Sequence, residues 1–151
     1  MKQRKNVIVI FILVLGFFVT SCFCSCVAGQ KNSEKTQEVT TSDWINEIGY
    51  PLFSKELPKS EGYKFILEPN ESGVLLTISC KDLTKSLYDT DFSQWEDIKQ
   101  AFCDVSESGY YSLLNYGAQA SFSICLLNDK KSDEEILLIT NGQVIYSISD
   151  N

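Results

Sequence analysis

Asp89 and Asp91, two residues apart in Tyr-Asp-Thr-Asp-Phe-Ser, are the first place to look for chemistry in this chain. On a strand or loop they would point the same way, which suits a calcium ion or an acid/base pair. Two oxygen donors are too few alone, so the pair is a weak candidate for metal and for catalysis, and a solvated loop explains it as well. Cys22, Cys24 and Cys26 form a Cys-x-Cys-x-Cys run that suits a thiophilic metal, but no other ligand lies nearby. Cys80, Cys103 and Cys125 could act as nucleophiles only with a base, and the chain has no histidine. That absence also removes the commonest metal ligand and every Ser-His pairing. No serine has a lysine three residues on, and no two glycines have the spacing of a phosphate-binding or dinucleotide-binding loop. The expectation is a non-enzyme with no cofactor and no resident metal; the alternative is a small carboxylate-dependent envelope enzyme.

The start of the chain is informative about location. Lys2, Arg4 and Lys5 precede Val7–Val19, thirteen residues of nearly pure aliphatic and aromatic character, and Val19-Thr20-Ser21-Cys22 follows at once. A basic start, a short apolar core and small residues describe an export signal. The four last residues resemble the bacterial lipobox, in which the cysteine receives the lipid. The resemblance implies that Cys22 is diacylated and becomes the first residue of the mature chain. Two alternatives stay open. Val7–Ala28 is 22 residues, enough to span a bilayer of about 30 Å as an uncleaved anchor, and simple secretion is the other. In all three cases the basic residues place the following domain outside the cell. The expected division is residues 1–21 as signal peptide, 22–42 as lipidated cysteine and flexible polar linker, and 43–151 as one extracytoplasmic domain.

The net charge of −7 comes from 13 basic and 20 acidic residues, and the signal would carry away three of the basic ones. Phosphate backbones attract clustered Lys and Arg, so nucleic acid is not an expected partner. With 44% hydrophobic and 22% charged residues, the balance is that of a folded domain rather than a disordered chain. The three domain cysteines cannot all pair. Cys80 is in phase with Val74, Leu76 and Ile78, while Cys125 opposes Phe122, Ile124 and Leu126, so free, largely buried thiols are expected.

The elements follow from periodicity. Asp43–Ile48 reads as a short helical turn, and Pro51 and Pro58 predict an irregular segment after it. Tyr63, Phe65 and Leu67 alternate with Lys64 and Glu68, then Val74, Leu76 and Ile78 alternate across the turn Pro69–Gly73, giving a hairpin. Ser93 and Glu96 fit a capping box. Trp95, Ile98, Phe102, Val105, Gly109, Leu113 and Tyr116 then mark one long helix of about 23 residues, with a break near Ser108 as the alternative. Gly117 suits its end. Phe122, Ile124 and Leu126 predict a third strand, and Asn141-Gly142 joins a last hairpin through a type I′ turn. In that register Ile139 faces Val144, Leu137 faces Tyr146 and Leu138 faces Ile145. Both faces of this hairpin are apolar. One can rest on the helix; the other needs a cover, either the Trp44–Leu57 segment or another protein.

The predicted fold is α+β, an antiparallel sheet of about five strands in the order ββαβββ with the long helix on one face. The helix opening at Trp95, the Leu-Leu-Asn-Asp loop and the terminal hairpin, roughly Trp95 to Tyr146, resemble small, uncharacterised exported lipoproteins of Gram-positive anaerobes. That resemblance implies the fold and the membrane tether, and no activity. The expected function is a non-catalytic binding or interaction module, tethered to the membrane by lipid and meeting a cell-surface protein or glycan. Its candidate surface is Leu138 and Ile145, with Tyr110 and Tyr111 able to stack on a sugar or peptide. A structural or immunity-type protein differs from this only in its partner.

Overall fold

The computed structural model describes residues 40–56, 62–89 and 92–150. Cys22, the apolar run Val7–Ala28 and Asp91 lie outside them. Among the described residues no helix is long and apolar enough to cross a membrane.

The chain enters through α1 (Thr41–Trp44), a π turn (Ile45–Gly49) and α2 (Tyr50–Glu56), which run on as one helical stretch. Its start is a capping box: the Asp43 amide donates to the Thr40 hydroxyl at 3.2 Å, and the Thr40 amide donates to the Asp43 carboxylate at 3.0 Å. The irregular segment predicted from Pro51 is thus helical. The proline ring, which clashes with the carbonyl four residues back in a regular helix, falls directly after the widened π turn, where the Tyr50 amide reaches Ile45.

Five strands follow: β1 (Tyr63–Asn70), β2 (Gly73–Cys80), β3 (Ser121–Leu127), β4 (Glu135–Thr140) and β5 (Gln143–Ser147), paired in chain order across one sheet. Three of the four contacts are antiparallel, but β2 and β3 run parallel. Parallel neighbours need a crossover, supplied here by α3 (Leu83–Asp89), which the sequence did not reveal, and the long helix α4 (Trp95–Tyr116). The α+β class, the strand count and the continuous helix of 22 residues are as predicted.

The Ser93 capping box does not form. The cap residue of α4 is Gln94, without a side-chain bond to the helix, and Glu96 instead meets the Lys99 ammonium at 2.8 Å. The start of α4 is held by Trp95, whose amide donates to the Phe92 carbonyl at 2.9 Å and whose indole N–H donates to Ser147 Oγ at 2.9 Å. At the other end Gly117 takes the left-handed conformation, φ 100°, and Ala118 closes back on the Leu113 carbonyl, as expected for a glycine stop.

The described α-helices all pack into the core on one face of the sheet. The Trp44 indole donates to Ser112 of α4 at 3.1 Å, and both Trp44 and Phe53 pack on the Phe122 ring. The core between helices and sheet is a single cluster in which Phe122, Ile98, Phe102, Leu113, Ile124 and Leu126 are fully buried. Gly109 is the point of closest approach, since a Cβ there would sit 2.6 Å from Phe122 Cδ1. Gly109→Ala should therefore destabilise by about 1–3 kcal/mol despite the better helix propensity of alanine, because Phe122 is wedged between two aromatic rings and cannot retreat. Urea unfolding measures this.

The N-terminus of α3 is capped from another element. Asp129, in the β3–β4 loop, accepts from the Asp82 amide at 2.8 Å and the Thr84 amide at 3.2 Å. Partial burial raises its carboxyl pKa, but bonds from the Thr84 hydroxyl and these amides outweigh that and leave it below the ordinary value. A depressed carboxylate stabilises above its unfolded pKa, and that contribution is lost as pH falls through the folded value. Asp129→Asn should cost about 1 kcal/mol at neutral pH, because only one of its two accepting oxygens and none of the charge remains, with the gap to the parent closing as pH drops below the ordinary aspartate range.

Candidate interaction surface

Side chains in register across a sheet share a face, so the pairings define what each face presents. On the helix side Phe65, Ile78, Leu126, Leu137 and Ser147 form one row, and Leu67, Leu76, Ile124, Ile139 and Val144 another. On the other side the central row is Ile66, Thr77, Cys125, Leu138 and Tyr146, one residue from each strand. Its two neighbours are mainly polar: Lys64, Ser79, Leu127 and Glu135 on one side, and Glu68, Leu75, Ser123, Thr140 and Gln143 on the other. The face turned from the helices is thus an apolar band between polar margins. The Trp44–Leu57 segment was one of the two covers expected for it; Trp44 and Phe53 lie on the helix side instead, and Leu57 lies outside the described residues.

Leu138 lies in this band, half-buried between Cys125 and Tyr146. Ile145 does not face it as predicted. The register shifts between Leu138 and Ile139, so that Ile139 pairs with Val144 as expected but Leu138 pairs with Tyr146 and Leu137 with Ser147. Ile145 is the extra residue of this bulge and stands 60% exposed at the strand. The bulge has a reason in the core: it turns Ser147 to the helix side, where its hydroxyl holds Trp95. Tyr110 and Tyr111 are on α4, beyond the sheet from Leu138, so the four candidate residues do not form one surface. Tyr110 packs partly into the core and Tyr111 is exposed, their rings 5.6 Å apart at 48°.

Two band members were not expected from the sequence: Tyr146, brought in by the bulge, and Ile66, 58% exposed on β1. Ile66 carries a signal in the sequence, an isoleucine in the polar phase of a strand whose core phase is Tyr63, Phe65 and Leu67.

Asp89 ends α3 in an exposed position, and Asp91 lies outside the described residues. Among the described residues no three His, Cys, Asp or Glu side chains converge as metal ligands would. A cleft between Trp44, Leu52, Phe53, Val105 and Ser112 holds about 10 Å³, room for one water-sized group and not a substrate.

Cys80, Cys103 and Cys125 are free thiols, Cys80 on the core side and Cys125 in the band. Burial pushes the Cys80 thiol up to about 11, and burial together with Glu135 pushes Cys125 up to about 12. Partial burial and the nearby Asp104 and Glu107 charges also raise Cys103. All three therefore stay protonated at neutral pH, which makes poor nucleophiles of them. Alkylation of the native protein at pH 8 should label Cys103 alone of the three, slowly and faster as pH rises. Peptide mapping reads the sites, and Cys80 or Cys125 labelling before unfolding would contradict the burial.

No family model, no curated protein and no solved structure matches the chain.

Proposed function

We propose that this chain is an exported lipoprotein, diacylated at Cys22, whose domain is a non-catalytic interaction module for a cell-surface protein or glycan. The observation that carries the binding part is the band Ile66–Thr77–Cys125–Leu138–Tyr146, which crosses the whole sheet and is covered by no described element. An apolar strip with a polar rim is the anatomy of a protein interface, and covering it would take from water chiefly Ile66, with the half-buried Leu138 and Tyr146. The tether rests on the Val19–Cys22 motif after the apolar run, and the acidic excess would keep the domain off an anionic bilayer.

The two halves are tested separately. The intact mass of protein extracted from membranes should be that of a chain starting at Cys22 plus a diacylglyceryl group; a full-length mass would mean a transmembrane anchor, and a shorter, lipid-free one a secreted domain. For the band, Ile66→Lys should change stability by less than about 1 kcal/mol because the side chain is mostly in water, yet abolish crosslinking of the domain to its surface partner. Unfolding by this exposed substitution, or undiminished crosslinking, would rule out the band as the docking surface.

A further inference from the structure

The sheet has two edges, and they are built differently. β1 carries Lys64, Glu68 and Pro69, the charges and proline that keep an edge from pairing with another chain. β5, Gln-Val-Ile-Tyr-Ser, carries neither charge nor proline; of the usual protections it has its five-residue length and the bulge at Ile145, which leaves the Val144 end as the place where an added strand can pair. No described strand pairs with its outer side, and Val144 and Ile145 are 40% and 60% exposed. Thr140 and Gln143 flank the two-residue turn and pair with each other, so the following residue, Val144, directs its N–H and C=O outward.

The helix beside this edge is acidic. The Trp95 indole meets Ser147 at one end of β5, and Glu107 Cβ and the Cys103 carbonyl lie against Gly142 at the other. The twelve-residue rise from Trp95 to Glu107 is about 18 Å, and the strand from Gly142 to Ser147 covers about 17 Å, so α4 tracks the edge along its whole length. Glu96, Lys99, Cys103 and Glu107 recur along this flank at spacings of three and four. Lys99 is occupied by Glu96 at 2.8 Å and Asp150 at 3.7 Å. With Glu107, the three carboxylates Glu96, Asp150 and Glu107 outnumber the one lysine and leave the flank negative.

We propose that β5 accepts an extended segment of a partner protein as a sixth strand, and that the segment alternates basic with apolar residues. The alternation follows from the pleat. Side chains of an added strand that point to the helix side meet the Glu96–Glu107 flank, which selects Lys or Arg. Those pointing the other way continue the band beyond Tyr146, which selects Val, Ile or an aromatic. Backbone bonds to the Val144 edge supply affinity, and the two faces supply specificity. This places a partner's strand next to the band proposed above and rests on that reading only for the apolar half of the pattern.

The probe is a fluorescein-labelled peptide, Lys-Val-Lys-Val-Arg-Val-Lys-Thr, with a control of the same composition in which the basic residues are contiguous. Anisotropy should show saturable binding of the alternating peptide to the full domain, weakened at least about fivefold between 0.05 and 0.3 M NaCl. Glu96→Lys with Glu107→Lys should weaken it about tenfold, and Val144→Pro should abolish it while thermal unfolding stays cooperative, since proline is tolerated where an edge N–H faces solvent. In the parent protein, peptide should slow hydrogen exchange at the Val144 amide. Ile66→Lys, four strands away, should leave peptide binding unchanged even though it disables docking on the band, so the two readings fail separately. Equal binding of the control peptide, unchanged binding by the charge-reversed variant, or no protection at Val144 would overturn the proposal. Concentration-dependent dimerisation that blocks Val144 without peptide would assign the edge to a second copy and overturn it too.

Discussion

Phe122 is gripped on its ring and on its backbone at once. Its ring lies under Gly109 of α4 and between the Trp44 and Phe53 rings, while its carbonyl accepts from Ser106 at 2.9 Å and from the Asn141 amide at 3.0 Å. The Phe122 amide in turn donates to the Asn141 side chain at 2.8 Å. One residue thus fixes how closely the long helix meets the sheet, where the N-terminal helices dock, and where the β4–β5 turn is anchored. Ser106, fully buried, is tolerable only because it is shared between the Phe122 carbonyl and the Gly142 amide, which donates to it at 3.2 Å.

That grip also explains the one-sidedness of the molecule. The gap beside α4 is filled by indole and phenyl rings from the N-terminal helices, which puts them on the same face as α4. The other face keeps only what neighbouring strands can shield, so Cys125 at the centre is buried while Ile66 at the margin is not. Within this face Ser123 and Thr140 satisfy one another at 2.9 Å, and the polar margins are content in water. The apolar row between them has no such resolution inside the fold.

Local patterns were legible where a single element decides them. Alternation gave β1, β2 and β3; the 3–4 spacing from Trp95 gave α4 nearly to its ends; Asn141-Gly142, both at positive φ, gave the turn. What depends on a distant partner was not. The parallel β2–β3 pairing follows from a helix crossing between strands; the strand–helix–strand order was visible, but an antiparallel sheet was expected throughout. The cap of α3 comes from Asp129, far along the chain, and the shift at Ile145 is imposed by the Trp95 indole across the core. Of the four residues singled out in the sequence, Leu138 stands in the central row of the outer face and Ile145 in the bulge of the edge strand. Ile66 and Tyr146 were not grouped with them because strand order was not readable.

The strands also stand in the sheet in the order they occur in the chain. Three of the four ladders are closed by short connections, so little loop entropy opposes them once a neighbour exists. The exception is β2 against β3, whose connection runs from Lys81 to Ala120 and contains both α3 and α4. Two locally assembled halves, the β1–β2 hairpin and the β3–β4–β5 meander, are therefore joined along one long-range seam, with α4 as the element that draws it shut. Folding speed should be governed by that seam, since non-local parallel pairing is the slow step of such topologies.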